Sequence, residues 1–166
     1  MADKRNMTVA ITLMVDFTQD SNGQWTASGN YSGTSIPPAK PGQTVVDSKG
    51  KIDLKAIDRD NKLYTNDSNI YFYLGSSSGH TCHFPYDPAN PANADLALEI
   101  DDKKDKDKYT ASLGDTDHWF LSLLDQDDNG DEANYRVYVQ LMPDGMGGNG
   151  IRLPIDPVII NRDKRD

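Results

Sequence analysis

The chain has 166 residues, of which 36% are hydrophobic and 26% charged, and its formal net charge is −9. This length suits one core, so we predict a single domain over residues 1–166 with a short charged tail from about residue 161. The negative charge argues against nucleic-acid binding, which needs clustered Lys and Arg, and no stretch is apolar enough to predict a membrane span. Cys82 is the only cysteine; this excludes an intrachain disulfide and favours a reducing compartment, so we expect a cytoplasmic protein.

The N-terminal segment alternates apolar and polar residues with a period of two, which predicts a strand. The apolar set is Val9, Ile11, Leu13, Val15 and Phe17. The stretch QDSNGQ (19–24) then carries the Asn-Gly signature of a tight turn. We therefore predict that QWTASGNY (24–31) forms the second strand of a hairpin.

The rest of the chain repeats short alternating stretches between loops rich in Pro, Gly, Asn and Asp. Alternation recurs at 52–56, 70–74, 96–100, 119–123 and 135–141, and further apolar stretches lie at TCHF (81–84) and RLPIDPVII (152–160). No segment shows helical periodicity over three turns. The sequence predicts an all-β fold, an antiparallel β-sandwich of about nine short strands, either immunoglobulin-like or jelly-roll-like.

The acid-rich stretch DQDDNGDE (125–132) raises the question of calcium binding. Asp125, Asp127, Asn129 and Gly130 match the first half of an EF-hand loop, but the position of the bidentate Glu is occupied by Arg136. The flanking stretches alternate like strands, which favours a solvated turn capping a hairpin of strands 118–125 and 134–142 with Trp119, Leu121 and Leu123 inward. A calcium site that relieves carboxylate repulsion stays open, with the candidate ligands Asp125, Asp127, Asn129 and Asp131.

Two further motifs invite a catalytic or cofactor hypothesis. HTCH (80–83) holds two of the three histidines and the only thiol. In a strand His83 would point away from His80 and Cys82, so it could not serve as the base for the thiol. We therefore expect Cys82 to be a small buried side chain. A small hydrolase that uses Cys82 and His118 remains an alternative. GMGGNG (145–150) is a literal G-x-G-x-x-G, but the alternating, proline-containing segment after it cannot open the helix that a dinucleotide site needs.

Aromatic residues supply a third possible binding surface. Tyr71, Tyr73 and Tyr138 fall on the faces of their strands opposite the aliphatic residues. They are therefore expected outside the core, where they either stack on a sugar or make ordinary cross-strand pairs. A calcium-dependent, lectin-like carbohydrate binder is thus an alternative function.

Two segments resemble a known family. The opening strand VAITLMVD and the C-terminal segment YRVYVQLMPDGMGGNGIRLPIDPVIIN are similar to the PixA/AidA-type bacterial inclusion-body proteins and related small β-sandwich proteins. The chain departs from that pattern at Ile155, where a Trp is typical, and in its long loop at 75–95. The resemblance implies a cytoplasmic, non-enzymatic β-sandwich that self-associates or binds ligands, and it transfers no catalytic residue. We expect a second copy of the chain, a small ligand or a glycan as the partner.

Overall fold

The structure, a computed structural model, describes residues 3–101, 108–114, 118–126, 132–142, 150–156 and 158–161. Leu54–Ala56 form a short 3-10 turn, and the described part contains no α-helix. None of it has the length and hydropathy that a membrane-crossing helix needs. The strands are β1 (Arg5–Gln19), β2 (Trp25–Ile36), β3 (Ile52–Asp53), β4 (Tyr64–Ser76), β5 (Thr81–His83), β6 (Leu98–Asp101), β7 (Tyr109–Leu113), β8 (Phe120–Asp125), β9 (Glu132–Met142), β10 (Ile151–Pro154) and β11 (Val158–Asn161).

The strands form two mixed sheets that pack on each other and are not closed into a barrel, an arrangement consistent with a β-sandwich. The first sheet has five strands in the order β2-β1-β4-β8-β7. In the second sheet β9 is central: it pairs with β11 and β10 along one side and with β6 and β5 along the other, and β3 joins at β11. The all-β prediction is therefore confirmed.

The prediction of a purely antiparallel sandwich is wrong. β1 pairs with β4 in parallel, from Thr8 opposite Asn69 to Val15 opposite Ser76, and β11 pairs with β3 in parallel. Parallel neighbours need a long crossover connection, and the segment between β2 and β4 supplies one. The described residues also contain eleven strands rather than about nine.

The first hairpin is confirmed. β1 and β2 pair antiparallel from Thr8 opposite Ile36 to Gln19 opposite Trp25. The turn is held by the side chain of Asp20, which accepts hydrogen bonds from the backbone N–H groups of Asn22 and Gln24. Gly23 has a φ of +81° in this turn, a left-handed conformation that glycine adopts without steric cost.

The core lies between the inward faces of the two sheets. The alternation read along β1 and β9 is confirmed, because the predicted inward residues of both strands are buried. They are Val9, Ile11, Leu13, Val15 and Phe17 on β1, and Tyr135, Val137, Val139 and Leu141 on β9. Leu121 and Leu123 of β8 are buried as predicted, but Trp119 is 54% exposed and lies before the strand begins.

A tight turn at residues 47–51 closes one side of the sandwich. The side chain of Asp47 accepts from the backbone N–H groups of Lys49 and Lys51, and Gly50 adopts a φ of +94°. The Gly50 carbonyl accepts a hydrogen bond of 2.6 Å from the hydroxyl of Tyr135 on β9. A Cβ at Gly50 would lie 2.7 Å from the ring of Tyr31 on β2, so the turn packs between residues of both sheets.

Candidate functional site

The outward face of the five-stranded sheet carries almost no charge. Cross-strand register places a continuous set of uncharged residues on this surface. Among the described residues of these strands only Asp16 and Asp67 add charge, towards the ends of the face, and Lys108 lies just before β7 at its edge. We call this set the uncharged face; it comprises Thr8, Ala10, Thr12, Met14, Asn30, Ser32, Thr34, Asn69, Tyr71, Tyr73, Thr110, Ser112, Phe120, Ser122 and Leu124. In a chain with 26% charged residues, an outer surface with so few charged side chains is unusual.

Three aromatic rings stand near the centre of the uncharged face. Tyr73 lies directly opposite Phe120 across β4 and β8, with ring centroids 5.2 Å apart. Tyr71 stacks on the same Phe120 at 5.5 Å with an interplanar angle of 20°. Tyr73 is 49% exposed, whereas the other two rings are half-buried. The predicted outward positions of Tyr71 and Tyr73 are confirmed, and Phe120 joins them.

The outward face of the second sheet is charged and contains a depression. This depression has a volume of about 500 Å³ and is lined, among the described residues, by Glu99, Asp101, Asn134, Tyr135, Arg136 and Ile159. Glu99 lies opposite Arg136 and Asp101 opposite Asn134 in the β6–β9 register. Tyr138 continues this face; its hydroxyl donates to the Glu99 carboxylate at 2.9 Å, and the Arg152 guanidinium lies 3.7 Å from its ring centroid.

The candidate calcium ligands are only partly described. Asp125 ends β8 and is fully buried, with Ser68 of β4 and Tyr109 of β7 opposite it in register. Asp127, Asn129 and Asp131 lie outside the described residues, so the calcium site stays a prediction. The predicted hairpin around these residues is wrong: β8 belongs to the five-stranded sheet and β9 to the other, so the acid-rich stretch connects two sheets.

The residues of HTCH are distributed over different surroundings. Cys82 is buried, as predicted. His80 packs edge-on against Trp25, and His83 lies on the other side of β5 with its ring 6.4 Å from that of His118. The His118 ring stacks on Tyr86 at 3.6 Å. Within the described ranges no group of three or more His, Cys, Asp or Glu residues is placed to hold a metal ion.

Burial also affects the chemistry of the thiol. It raises the pKa of Cys82 to about 11, so the thiolate form is disfavoured at neutral pH. A nucleophilic cysteine needs the opposite shift, towards a lower pKa. The indole N–H of Trp119 donates to the Cys82 carbonyl oxygen at 3.0 Å.

We expect Cys82 to resist alkylation in the folded protein, because its thiol is both buried and protonated. Iodoacetamide at pH 8 should label the native protein much more slowly than the urea-unfolded protein, as mass spectrometry of timed samples would measure. Because the chain has one cysteine, all labelling occurs at Cys82, and the unfolded protein gives the rate for the exposed thiol. Equal labelling rates in the two states would contradict the buried position.

The described features define an all-β protein of two packed mixed sheets with one uncharged and one charged outer face. The chain matches no model of a known protein family and no curated protein.

Proposed function

We propose that this chain is a non-enzymatic β-sandwich protein that associates with a second copy of itself through the uncharged face. The observation that carries the proposal is the charge distribution: the net charge is −9, yet the broad outer surface of one sheet is uncharged around three aromatic rings. The similarity to inclusion-body proteins implies the same kind of behaviour. The finer assignment of the sandwich, immunoglobulin-like or jelly-roll-like, remains a prediction.

Charge argues for a second copy as the occupant of this face. Two copies at −9 each repel, and an interface stabilises only where burying the surfaces does not bring like charges together. The uncharged face meets that condition, because a face-to-face pair would bury hydroxyl, amide, methyl and aromatic groups rather than carboxylates.

The size of the face is also sufficient. Five strands span about 20 Å, and the β1–β4 register runs for about 30 Å. The face is thus on the order of 600 Å² per copy, near the lower end of specific protein interfaces. We therefore expect a dimer that forms reversibly with concentration.

The two alternative functions receive less support from the same residues. Tyr71 and Phe120 stack on each other, so part of the ring surface that a sugar would contact is already covered. A hydrolase using Cys82 and His118 would need an accessible thiolate, whereas Cys82 is buried with a raised pKa. We keep the lectin-like binder as the second candidate, because the aromatic cluster is exposed at Tyr73.

The test is the substitution Thr12→Lys. Thr12 is exposed and lies beside Tyr73 in the β1–β4 register, so the new ammonium group would be buried between two copies without a partner. We expect the dimer association constant, measured by sedimentation equilibrium, to fall by about tenfold or more. Wild-type association should be nearly insensitive to salt, or slightly stronger at high salt as the repulsion is screened.

The matched control is Thr81→Lys, an exposed threonine on β5 in the other sheet. This variant changes the net charge by the same amount, so it should associate like the wild type or slightly better. A wild-type protein that stays monomeric at its highest soluble concentration would refute self-association. Equal association of the two variants would refute the uncharged face as the interface.

A further inference from the structure

We propose that the depression on the charged outer face binds a small zwitterion of the α-amino-acid class, independently of self-association. The depression is about 500 Å³, within the usual range for small-ligand sites. Among the described residues, its lining combines one guanidinium, Arg136, with two carboxylates, Glu99 and Asp101. This combination is complementary to a molecule that carries both an anionic and a cationic group.

Arg136 is the group expected to hold the ligand's carboxylate. It lies in the middle of β9, the central strand of its sheet, and its side chain is half-buried. Its Nε atom is buried, and within the described part of the chain that atom has no hydrogen-bond partner. A guanidinium presents Nε and a terminal nitrogen as a planar fork, which matches the two oxygens of a carboxylate.

The register across β6 and β9 places the carboxylates beside this fork. Glu99 lies directly opposite Arg136, and Asp101 lies diagonally from it, opposite Asn134. Directly opposed and diagonal side chains are separated by about 5 to 8 Å at their Cβ atoms. An ammonium group next to the bound carboxylate would therefore lie within reach of one or both acids.

Glu99 is also oriented by a neighbour. The hydroxyl of Tyr138 donates to its Oε2 atom at 2.9 Å, which leaves the other carboxylate oxygen for a ligand ammonium. Arg152, whose guanidinium lies over the Tyr138 ring, donates through Nε to the Leu96 carbonyl. Tyr138 and Arg152 thus support the acidic side of the depression.

The charges of the lining disfavour two simpler ligands, a free phosphate and a simple amine. A free phosphate would gain Arg136 but would face Glu99 and Asp101, and like charges at this separation repel. A simple amine would contact the acids but would leave the buried Nε without a partner, so it would gain no contact with the guanidinium. A molecule that carries both groups satisfies both sides.

The experiment is isothermal calorimetry of the full chain with the standard free L-amino acids at millimolar concentration. The best binder would then be compared with its N-acetyl derivative, its α-amide and inorganic phosphate. We expect binding of at least one free amino acid and a loss of about tenfold or more for each blocked derivative, since each removes one charged contact. Phosphate should not bind.

The variant arm uses Arg136→Gln and Glu99→Gln, with Arg5→Gln as the matched control on the exposed start of β1. Both site variants should lose about tenfold or more in affinity, and the control should bind like the wild type. Arg136→Lys keeps the charge without the fork, so a partial loss is expected from a variant that folds, as circular dichroism would verify.

The proposal is overturned if no free amino acid binds the wild type, if a blocked derivative binds equally well, or if Arg136→Gln retains full affinity. Because the uncharged face lies on the other sheet, Thr12→Lys should bind the amino acid normally. Failure of self-association and failure of amino-acid binding are therefore separate results.

Discussion

Replacing Gly50 by Ala should destabilise the protein by about 3 kcal/mol or more. The backbone there has a φ of +94°, which an L residue with a Cβ adopts only at a cost. The new methyl group would also lie 2.7 to 2.8 Å from three ring atoms of Tyr31. The turn cannot move aside freely, because the Gly50 carbonyl is held by the hydroxyl of Tyr135. Urea denaturation followed by tryptophan fluorescence would measure the change.

Gly42→Ala is the matched control for this substitution. Gly42 also has a positive φ, +75°, but a Cβ there would meet no atom within 4 Å. Gly42→Ala should therefore lower the free energy of unfolding only by the cost of a positive φ in an alanine, about 1 kcal/mol. Equal losses for the two variants would show that the turn at 47–51 does not pack against Tyr31.

The stability of the protein should fall steeply above pH 10. Burial raises the pKa of Tyr31 well above its ordinary value, with a further contribution from Asp156. Burial, together with Tyr31 and Asp47, does the same for Tyr135. Above about pH 10 the unfolded chain releases these protons while the folded chain retains them, so the free energy of unfolding decreases as the pH rises. Each tyrosine should contribute about 1.4 kcal/mol per pH unit.

Tyr31→Phe isolates one of these contributions. The Tyr31 hydroxyl is buried and has no hydrogen-bond partner within the described part of the chain, so its removal should leave stability at pH 7 unchanged or raise it by about 1 kcal/mol. Between pH 10 and 12 the variant should lose stability less steeply than the wild type, by about 1.4 kcal/mol per pH unit.

Urea titrations at a series of pH values, performed on both proteins, would measure this difference in slope. Groups that titrate independently of Tyr31, including the Cys82 thiol, are common to the two proteins and cancel in the comparison. Tyr135 stays protonated in both proteins over this range, because burial is the first cause of its raised pKa. Parallel stability curves above pH 10 would contradict a raised pKa for Tyr31.

Period-two alternation was sufficient to predict which residues of the long strands face inward, because the pleat fixes that side for any pairing partner. It is insufficient at strand ends, because the alternation that includes Leu121 and Leu123 also includes Trp119, which lies before β8 and is exposed. Trp119 fits the alternating pattern although it lies outside the strand. Its indole N–H donates a hydrogen bond to the Cys82 carbonyl oxygen, and the side chain does not pack in the core.

Alternation also carries no information about which sheet a strand joins. β8 and β9 alternate correctly on both sides of an Asn-Gly pair, which favoured a hairpin, but each buries its inward face equally well when the chain crosses between sheets. The crossover that makes β1 and β4 parallel neighbours is likewise invisible in local sequence.

The candidate sites differ in how far they could be predicted. The outward positions of Tyr71 and Tyr73 follow from alternation, whereas the ring of Phe120 beside them depends on the β4–β8 register. No local sequence pattern predicts the depression around Arg136, because Glu99 and Arg136 come together only through the pairing of β6 with β9. Oppositely charged residues so far apart in the chain are common in any sequence of this composition.

The central position of β9 determines the order in which the chain can fold. Within the described part of the chain, all strands of the five-stranded sheet precede Gln126, whereas every pairing between named strands of the second sheet involves β9 or β11. During synthesis the first sheet can thus form while its apolar inner side, including Ile11, Leu13 and Phe72, has no opposing sheet to cover it. We therefore expect the nascent protein to pass through a state in which the inner side of the first sheet is exposed to aggregation and to chaperones, until translation delivers residues 132–142.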